Sequence, residues 1–342
     1  MEKISYIEVS GTNYEIGFGI GECLKEKLIP YNQDRQKFYY NYSKNSKFSL
    51  DKKTKEIEKI ILKYFPQYLE ELKGIADGAT IPLKDIILLC NEETMINTAN
   101  EKCTTLAYKG KKVFLGHNED WAPGYEGNLY VVKASPKKGA SFISMAYLGA
   151  LAGSSVAMNE YGITFSGNSL LKGLQRGIPK NIILRSQIEA KTLKEFERLA
   201  TFQPRAIPNH SMAVDKKGNI ISVEVRLKKH SVIYTKGPYV HTNHTIHEKM
   251  LDLEELPLGN STKNRYLTAM SYVQKNKTLD EELMKKILRS HDKKPYTICI
   301  HAKTKKYSDS QTIGSAIANV SDLTFSVALG NPCESEYKTF YL

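Results

Sequence analysis

Cys103 is the residue whose type and position best suit a nucleophile in this sequence. It stands where the chain changes from helical to strand-like patterning, with ANEK before it and TTLAY after it. Asp120 follows in GHNEDW (116–121), and if the two segments form a hairpin, this carboxylate returns close to the level of Cys103. A carboxylate there can orient an ammonium group or hydrogen-bond the amine of the nucleophile. A thiol at the start of a strand is also a common core residue, so position alone leaves a packing role open.

A thiol nucleophile needs a base, and the positions of the eight histidines do not oblige any of them to supply it. A chain cleaved before Cys103 would expose an α-amine. Its reference pKa of about 7.7–8.0 would let it take the thiol proton directly. The sequence therefore raises the hypothesis of a base created at a new N-terminus.

The residues before the nucleophile, 1–102, are predicted to be mainly helical after a short opening strand. The clearest helical segment is LDKKTKEIEKIILKYFPQYLEELKGIADGA (50–79), whose apolar residues fall at helical spacing. Asp51 is predicted to cap its start, and Pro66 to begin a new turn or a kink. This part of the chain is expected to form a helical layer.

From Cys103 onward the pattern is typical of antiparallel strands. Short alternating apolar runs are separated by turn signals at Lys109-Gly110 and at KKGN (216–219). Helical patterns return at 179–201 and around 262–290, and strands close the chain at 312–332. This order predicts an α+β layered sandwich in a single domain over 1–342.

The composition is that of an ordinary globular protein, since 41% of the residues are apolar and 25% are charged. The opening residues lack the apolar stretch of a secretory signal, and no run approaches the roughly 18 apolar residues of a membrane span. The five cysteines are scattered and never in CxxC spacing, which argues against a disulfide framework and a zinc site. We therefore expect a cytoplasmic protein with free thiols.

The formal net charge of +12 raises the question of nucleic-acid binding. The lysines occur in pairs, at 111–112, 137–138, 216–217 and 305–306, mostly beside residues that favour turns. Such pairs indicate solvated turn tips rather than one basic face, so we expect no nucleic-acid partner. Attraction of anionic substrates or partners stays open.

A series of segments, taken in order, carries a resemblance over nearly the whole chain. They are GTNYEIGFGIGE (11–22), YFPQYLEELKGIADGA (64–79), CTTLAY (103–108), GHNEDW (116–121), MNEYGITFSGNSL (158–170), VHTNH (240–244) and LGNP (329–332). Each is a weak signal alone, but their order and spacing are specific. The chain resembles the N-terminal-nucleophile hydrolases that include acyl-coenzyme A:isopenicillin N (6-aminopenicillanic acid) acyltransferase and, more distantly, conjugated bile acid hydrolases.

The resemblance implies a four-layer αββα sandwich that is made as an inactive precursor. Cys103 would attack the carbonyl carbon of Lys102 in an N-to-S acyl shift. Hydrolysis of the thioester would leave two associated chains, a helical one of residues 1–102 and a strand-rich catalytic one of residues 103–342. Activity would then require the cut.

The resemblance also implies roles for individual residues. Asp120 is similar to the acidic residue that holds the new α-amine and tunes the thiol, and Asn243 in VHTNH is similar to the oxyanion donor. Asn168 in SGNSL matches an asparagine that serves the active site in the bile acid hydrolases. Arg265 in STKNRY resembles an arginine of the same branch.

Two departures from the family pattern bear on mechanism. The isopenicillin enzyme has a glycine before its cysteine, whereas this chain has Lys102, whose Cβ disfavours a strained backbone at the cleavage site. In YTICIHAK (296–303), Ile300 stands where the acyltransferase has an arginine. An aliphatic residue in place of a charged anchor argues against the same penicillin substrate.

His117 and Trp121 are candidates for substrate binding. His117 occupies the place where the bile acid branch has an arginine, although a solvent-facing or hydrogen-bonded role is an equal alternative. Trp121 follows Asp120 directly and is expected either to pack in the core or to form a wall of the acyl pocket.

The segment HTNHTIHEK (241–249) offers histidines at 241, 244 and 247. Their spacing does not keep three ligands on one face of a strand, and on a helix the ligands would drift apart, so we predict no metal site. His241 and His244 are expected to support Asn243.

These observations favour an enzyme that cleaves a small N-acylated or peptide-like amide through an acyl-enzyme on Cys103. Acyl transfer to a small amine is the alternative, because both reactions share the acyl-enzyme. No cofactor is implied unless a coenzyme A thioester is the acyl donor. An uncleaved binding protein, kept open by Lys102 and Ile300, is a third hypothesis. Beyond the small-molecule substrate, we expect association of the two cleaved chains and leave homo-oligomers open.

Overall fold

The computed structural model describes residues 4–44, 49–96, 102–170, 174–253, 260–304, 306 and 309–342. Before Cys103, the described chain forms β1 (Ser5–Gly11), α1 (Asn13–Lys44), α2 (Leu50–Tyr64), α3 (Pro66–Ala79), α4 (Leu83–Cys90) and α5 (Glu92–Ile96). The predicted opening strand and helical layer are confirmed, and Pro66 begins α3. The predicted cap is wrong: the hydroxyl of Ser49 caps α2, accepting from the amide of Lys52 at 3.3 Å. Asp51 lies in the first turn instead, where its charge favours the helix dipole.

The remainder is rich in strands, as predicted. Its strands are β2 (Lys102–Lys109), β3 (Val113–Trp121), β4 (Leu129–Pro136), β5 (Phe142–Tyr147), β6 (Val156–Asn159), β7 (Thr164–Ser169), β8 (Asn209–Val214), β9 (Ile220–Val225), β10 (His230–Thr235), β11 (Tyr239–His241), β12 (Gln311–Asn319), β13 (Thr324–Leu329) and β14 (Lys338–Tyr341). Its helices are α6 (Lys180–Gln187), α7 (Leu193–Ala200), α8 (Asn260–Lys275) and α9 (Glu281–Leu288), with short 3₁₀ turns at Glu126–Asn128 and Glu248–Leu253. Both predicted hairpin turns form, between β2 and β3 and between β8 and β9.

The strands make two sheets. The larger has the order β1-β4-β5-β6-β7-β8-β9-β10, and the smaller has the order β11-β2-β3-β12-β13-β14. Neighbouring strands are antiparallel, apart from β1, which lies parallel to β4 with Ser5 opposite Tyr130. The nucleophile hairpin, β2 and β3, therefore occupies the middle of the smaller sheet.

Among the described residues, three hydrophobic cores separate four layers. In β4, Tyr130 and Val132 pack against α1–α4, α6 and α7, whereas Val131 points between the two sheets. In β2, Ala107 faces the space between the sheets, and Tyr108 packs towards α8 and α9. Alternate residues of one strand thus enter different cores, as the two-residue period of a strand requires. The predicted α+β αββα sandwich is confirmed. No described helix combines the length and apolarity needed to cross a membrane.

Glycines allow α1 and α3 to pack with their backbones almost in contact. A Cβ on Gly17 would lie 2.0 Å from the carbonyl oxygen of Glu71, and one on Gly74 would lie 2.1 Å from that of Tyr14. This close approach explains Gly17, Gly21, Gly74 and Gly78 as packing residues between the two helices. It also seats the buried carboxylate of Glu71 against Arg185 of α6, at 3.0 Å, so the helical layer is tied to the chain that follows Cys103.

We expect Gly74→Ala to lower the free energy of unfolding by about 3 kcal/mol, because the added methyl group meets backbone atoms that cannot move separately. Denaturant unfolding would measure the loss. Gly237→Ala is the matched control, since its Cβ would meet nothing closer than 3.8 Å, and should change stability by no more than about 0.5 kcal/mol. Equal effects of the two substitutions would show that α1 and α3 are not held this closely.

Candidate active site

The β2–β3 hairpin brings Cys103 and the acidic end of GHNEDW together. Cys103 lies opposite Glu119, and Lys102 lies opposite Asp120. Asp120 is therefore one position from the level of Cys103, close to where the sequence places it. The direct neighbour of Cys103 is Glu119. The sequence did not identify Glu119, because the turn residues alone do not fix the register of the hairpin.

Cys103 is held at its backbone and at its sulfur. Its side chain and backbone are buried, with 2% of its surface exposed. Its amide donates to Oδ1 of Asn243 at 2.8 Å, and its carbonyl oxygen accepts from Nη1 of Arg265 at 2.5 Å. The thiol donates to Oε1 of Glu119 at 3.3 Å. The nucleophile is thus oriented by residues from three separate parts of the chain.

Arg265 of α8 joins these parts. Its guanidinium is fully buried and donates to Oγ1 of Thr104 at 2.9 Å and to Oδ1 of Asn243 at 2.8 Å, besides the carbonyl of Cys103. Burial lowers the pKa of Arg265, and the nearby Asp120 opposes that effect. Lys102 is affected by the same groups. Burial and the charge of Arg265 lower the pKa of Lys102, and the nearby Asp120 opposes that effect.

Asp120 is buried, and its two carboxylate oxygens differ in their hydrogen bonding. Its Oδ1 accepts from the hydroxyl of Thr312 at 2.6 Å, whereas Oδ2 has no hydrogen-bond partner among the described residues. Burial raises the pKa of Asp120 to about 7, although Arg265 and Thr312 act in the opposite direction.

Glu119 is ionised by its surroundings. Burial alone would raise the pKa of Glu119, but the hydrogen bond with Nε2 of His117, at 3.2 Å, contributes to lowering it overall. The other ring nitrogen of His117 lies 2.8 Å from Oγ1 of Thr105 and 2.7 Å from Oγ of Ser166. His117 therefore has the hydrogen-bonded role that was one alternative. A substrate contact by this ring stays a prediction.

The two candidate asparagines are both buried and oriented by neighbours. Asn243 receives two hydrogen bonds at Oδ1, from Cys103 and Arg265, and its Nδ2 donates to the carbonyl of Ser169 at 3.1 Å. The Oδ1 of Asn168 accepts from Nδ1 of His210 at 2.8 Å, and burial lowers the pKa of His210, which favours its neutral ring. The Nδ2 of Asn168 has no partner among the described residues.

The histidines of HTNHTIHEK serve as supports. The Nε2 of His241 lies 2.9 Å from Glu224, the Nδ1 of His244 lies 2.9 Å from Thr262, and the Nε2 of His247 lies 2.9 Å from Ser222. Thr262 in turn accepts the backbone amide of Asn243 at 2.9 Å. These contacts fix the loop that carries Asn243, as expected.

Trp121 lines a small cavity of about 60 Å³ beyond Asp120. The indole is 5% exposed and meets the ring of Tyr125 edge-on at 6.0 Å, so it both packs in the core and forms a cavity wall. Glu93 also lines the cavity and accepts from the hydroxyl of Ser169 at 3.0 Å, which connects the cavity to Asn243. Larger depressions of about 770, 610 and 550 Å³ lie elsewhere and contain none of the candidate catalytic residues.

The raised pKa of Asp120 predicts that the stability of the folded chain depends on pH. Between pH 3.8, its ordinary pKa, and about 7, the folded state keeps the proton that the unfolded state loses, so this group lowers stability as the pH rises. In a Cys103→Ala background, Asp120→Asn should therefore become more stabilising from pH 4 to pH 8, by on the order of 3 kcal/mol. Urea unfolding at both pH values would measure it. Exposed Asp34→Asn is the control, and parallel pH profiles for the two substitutions would contradict the assignment.

Comparison with known proteins places this chain in a family. The family model described as acyl-coenzyme A:6-aminopenicillanic acid acyl-transferase matches residues 107–334. The 40 kDa form of acyl-coenzyme A:6-aminopenicillanic-acid-acyltransferase from Emericella nidulans is 25% identical over 325 residues, covering 92% of this chain and 88% of the relative. The beta-alanyl-dopamine/carcinine hydrolase of Drosophila melanogaster is 26% identical over 235 residues, covering 58% and 57% respectively.

The fold is similar to that of a mutant conjugated bile acid hydrolase from Clostridium perfringens, with a TM-score of 0.50 and 13% identity, over 70% of this chain and 97% of that chain. These similarities confirm the resemblance found in the sequence and the predicted class of enzyme, a hydrolase of carbon–nitrogen bonds or an N-acyltransferase. Because the family model spans more than half of its length, this chain belongs to the acyl-coenzyme A:6-aminopenicillanic acid acyl-transferase family.

Proposed function

We propose that this chain is the precursor of a cysteine amidohydrolase, which cuts itself between Lys102 and Cys103 and then hydrolyses a small N-acylated or peptide-like amide. The observation that carries the proposal is the buried Oδ2 of Asp120, which has no hydrogen-bond partner among the described residues. An unsatisfied buried carboxylate oxygen costs free energy. An α-ammonium group formed on Cys103 would give Asp120 both a hydrogen bond and a counter-charge.

The contacts of Cys103 support a route for the first step. The thiol proton passes to Glu119, whose Oε1 lies 3.3 Å from the sulfur, as the sulfur attacks the carbonyl carbon of Lys102. The carbon–nitrogen bond between Lys102 and Cys103 then breaks, the nitrogen takes up the proton, and a thioester joins Lys102 to the sulfur. Water hydrolyses the thioester, which leaves a carboxylate on Lys102 and a free amine and thiol on Cys103.

The same groups support turnover after the cut. The α-amine of Cys103 takes the thiol proton during attack on the substrate and returns it to the leaving amine, while Asp120 holds the ammonium form. The tetrahedral oxyanion needs donors. Asn168 offers a side-chain amide with no partner among the described residues, and Asn243 uses one of its two N–H groups on Ser169.

The size of the cavity at Trp121 supports a requirement for the cut. A volume of about 60 Å³ admits only about one or two water molecules, far below the roughly 300 Å³ at which small-molecule pockets begin. We therefore expect the cleaved enzyme, rather than the uncut chain, to admit a substrate. The aromatic side chains of Tyr31, Trp121 and Tyr125 are the surfaces on which an apolar acyl group would pack.

Acyl transfer is the second candidate, because the Emericella nidulans relative, which covers 92% of this chain, is named as an acyltransferase. Both reactions pass through an acyl-enzyme on Cys103, and they differ only in whether water or an amine releases the acyl group. An added amine that diverts product from the acid to the amide, without changing total turnover, would reveal a transferase. A coenzyme A thioester would then be the donor to test.

Mass spectrometry of the intact purified protein tests the self-cleavage. We expect two fragments, 1–102 and 103–342, from the wild type, and one species of 38.7 kDa from Cys103→Ala. Cys23→Ser should be cut like the wild type, since Cys23 is an exposed thiol outside the site. An uncut wild-type chain after prolonged incubation would instead favour a binding protein, whereas unchanged cleavage in Cys103→Ala would show that Cys103 does not perform the cut.

Substitution of the two asparagines tests the oxyanion assignment. Asn243→Ala and Asn168→Ala should each lower kcat by about 10²–10³ in chains that have been cut, the usual effect of removing one oxyanion donor. Steady-state kinetics on an N-acyl amide, normalised to cleaved protein, would measure the loss. Exposed Asn276→Ala is the control. A near-normal kcat in either cleaved variant would remove that asparagine from the oxyanion site.

A further inference from the structure

Four side chains outside the active site converge on one point near the end of the chain. They are His291, Cys299, His301 and Cys333, and one ligand atom from each lies within 4.8 Å of all the others. Cys299 is buried, and Cys333 is partly exposed. The side chains have no part in the reaction proposed above, so their convergence requires another explanation.

Four of the six separations are close to the edges of a tetrahedron around a zinc ion, and the other two, from His291 to the sulfurs, are within 4.8 Å. Zinc bonds of about 2.3 Å to sulfur and 2.0–2.1 Å to nitrogen give edges of about 3.8 Å between sulfurs, 3.3 Å between nitrogens and 3.5 Å for mixed pairs. The two sulfurs are 3.5 Å apart, and the Nε2 atoms of His291 and His301 are 3.1 Å apart. The Nε2 of His301 lies 3.2 Å from the sulfur of Cys333 and 3.9 Å from that of Cys299.

The surrounding groups hold these side chains in place. The amide of Asn331 donates to the carbonyl of Ile300 at 2.7 Å, and Nε of Arg289 donates to the carbonyl of Pro332 at 2.8 Å. These bonds join the segment after α9, which carries three of the ligands, to the turn after β13, which carries Cys333. The Nδ1 of His301 faces the carboxylate of Glu334 at 3.8 Å, on the side of the ring away from the other ligands.

We propose that His291, Cys299, His301 and Cys333 bind one zinc ion. Two thiolates and two imidazoles in tetrahedral array are the donor set that zinc prefers, and four protein ligands make a closed site of the structural kind. Binding releases the two thiol protons and adds a cross-link between the two segments. A disulfide between Cys299 and Cys333 is the competing arrangement, but its sulfurs would need to close from 3.5 Å to about 2.0 Å.

A zinc ion at this position would support the active site. Ile300, between two ligands, donates its amide to Oγ1 of Thr312 at 2.9 Å, and that hydroxyl donates to Asp120 at 2.6 Å. The ion would therefore fix the segment against which the Thr312–Asp120 pair is placed. The ion would stabilise the fold. Because its four ligands are all protein side chains, it would leave no open coordination position for a substrate.

The test is zinc content and affinity of the full-length protein, purified under reducing conditions. The wild type and Cys103→Ala should each hold about one zinc per chain, by elemental analysis. After chelation, titration with cobalt(II) should give the visible absorption of a tetrahedral thiolate site, and zinc should raise the Tm. Cys103→Ala is included because Cys103, His117 and Glu119 also lie close enough to share a metal.

Cys333→Ser and His301→Gln should lower zinc affinity at least tenfold, at positions exposed enough for the fold to survive, as circular dichroism would verify. Cys23→Ser and His230→Gln replace exposed residues of the same types and should change nothing. Failure of the wild type to bind zinc would overturn the proposal. Loss of zinc in Cys103→Ala, with zinc retained in Cys333→Ser, would also overturn it. A Cys299–Cys333 disulfide would do the same, if the protein purified under reducing conditions had a mass lower by two hydrogens.

Discussion

The guanidinium of Arg265 carries its charge where no water reaches it, and the centre of the molecule is arranged to accommodate it. A buried charge costs several kcal/mol unless hydrogen bonds and an opposite charge compensate it. Here Arg265 donates hydrogen bonds to the carbonyl oxygen of Cys103, the hydroxyl of Thr104 and Oδ1 of Asn243. Asp120 provides the nearby opposite charge. The smaller sheet, the loop after β11 and helix α8 must therefore meet at one point, and that point is the backbone of the nucleophile.

The order of helical and strand-rich segments could be read from the sequence because it rests on local patterns, whereas the four-layer arrangement was implied by the resemblance. Alternating apolar residues separated by Lys109-Gly110 predict the β2–β3 hairpin, and the hairpin alone brings Asp120 close to Cys103. Finer features could not be predicted, because they depend on the residue at which a helix begins or on contacts between distant residues. Ser49 rather than Asp51 caps α2, because the helix begins one residue after Ser49. The packing role of Gly17 and Gly74 is apparent only from the contact between α1 and α3.

The candidate site divides in the same way. The resemblance identified Cys103, Asp120, Asn168, Asn243 and Arg265, and the structure brings Cys103, Asn243 and Arg265 into direct contact. Glu119 was missed because one step of strand register decides which acidic residue faces the thiol. The absence of CxxC spacing argued against zinc, yet that argument covers only ligands close in sequence. Cys299 and Cys333 are far apart along the chain and meet because the turn after β13 folds back onto the segment after α9.

The parallel pairing of β1 with β4 would have a consequence for the folding of the protein after the proposed cleavage. This pairing, the core shared by α1 and β4, and the Glu71–Arg185 ion pair all cross the proposed cut. The uncut chain folds in a first-order process, since the covalent link keeps both parts at a high effective concentration. Cleavage would make refolding second order, so a cut enzyme that unfolds in dilute solution would not reassemble on the same timescale. Maturation would thereby be a one-way step in folding as well as in chemistry.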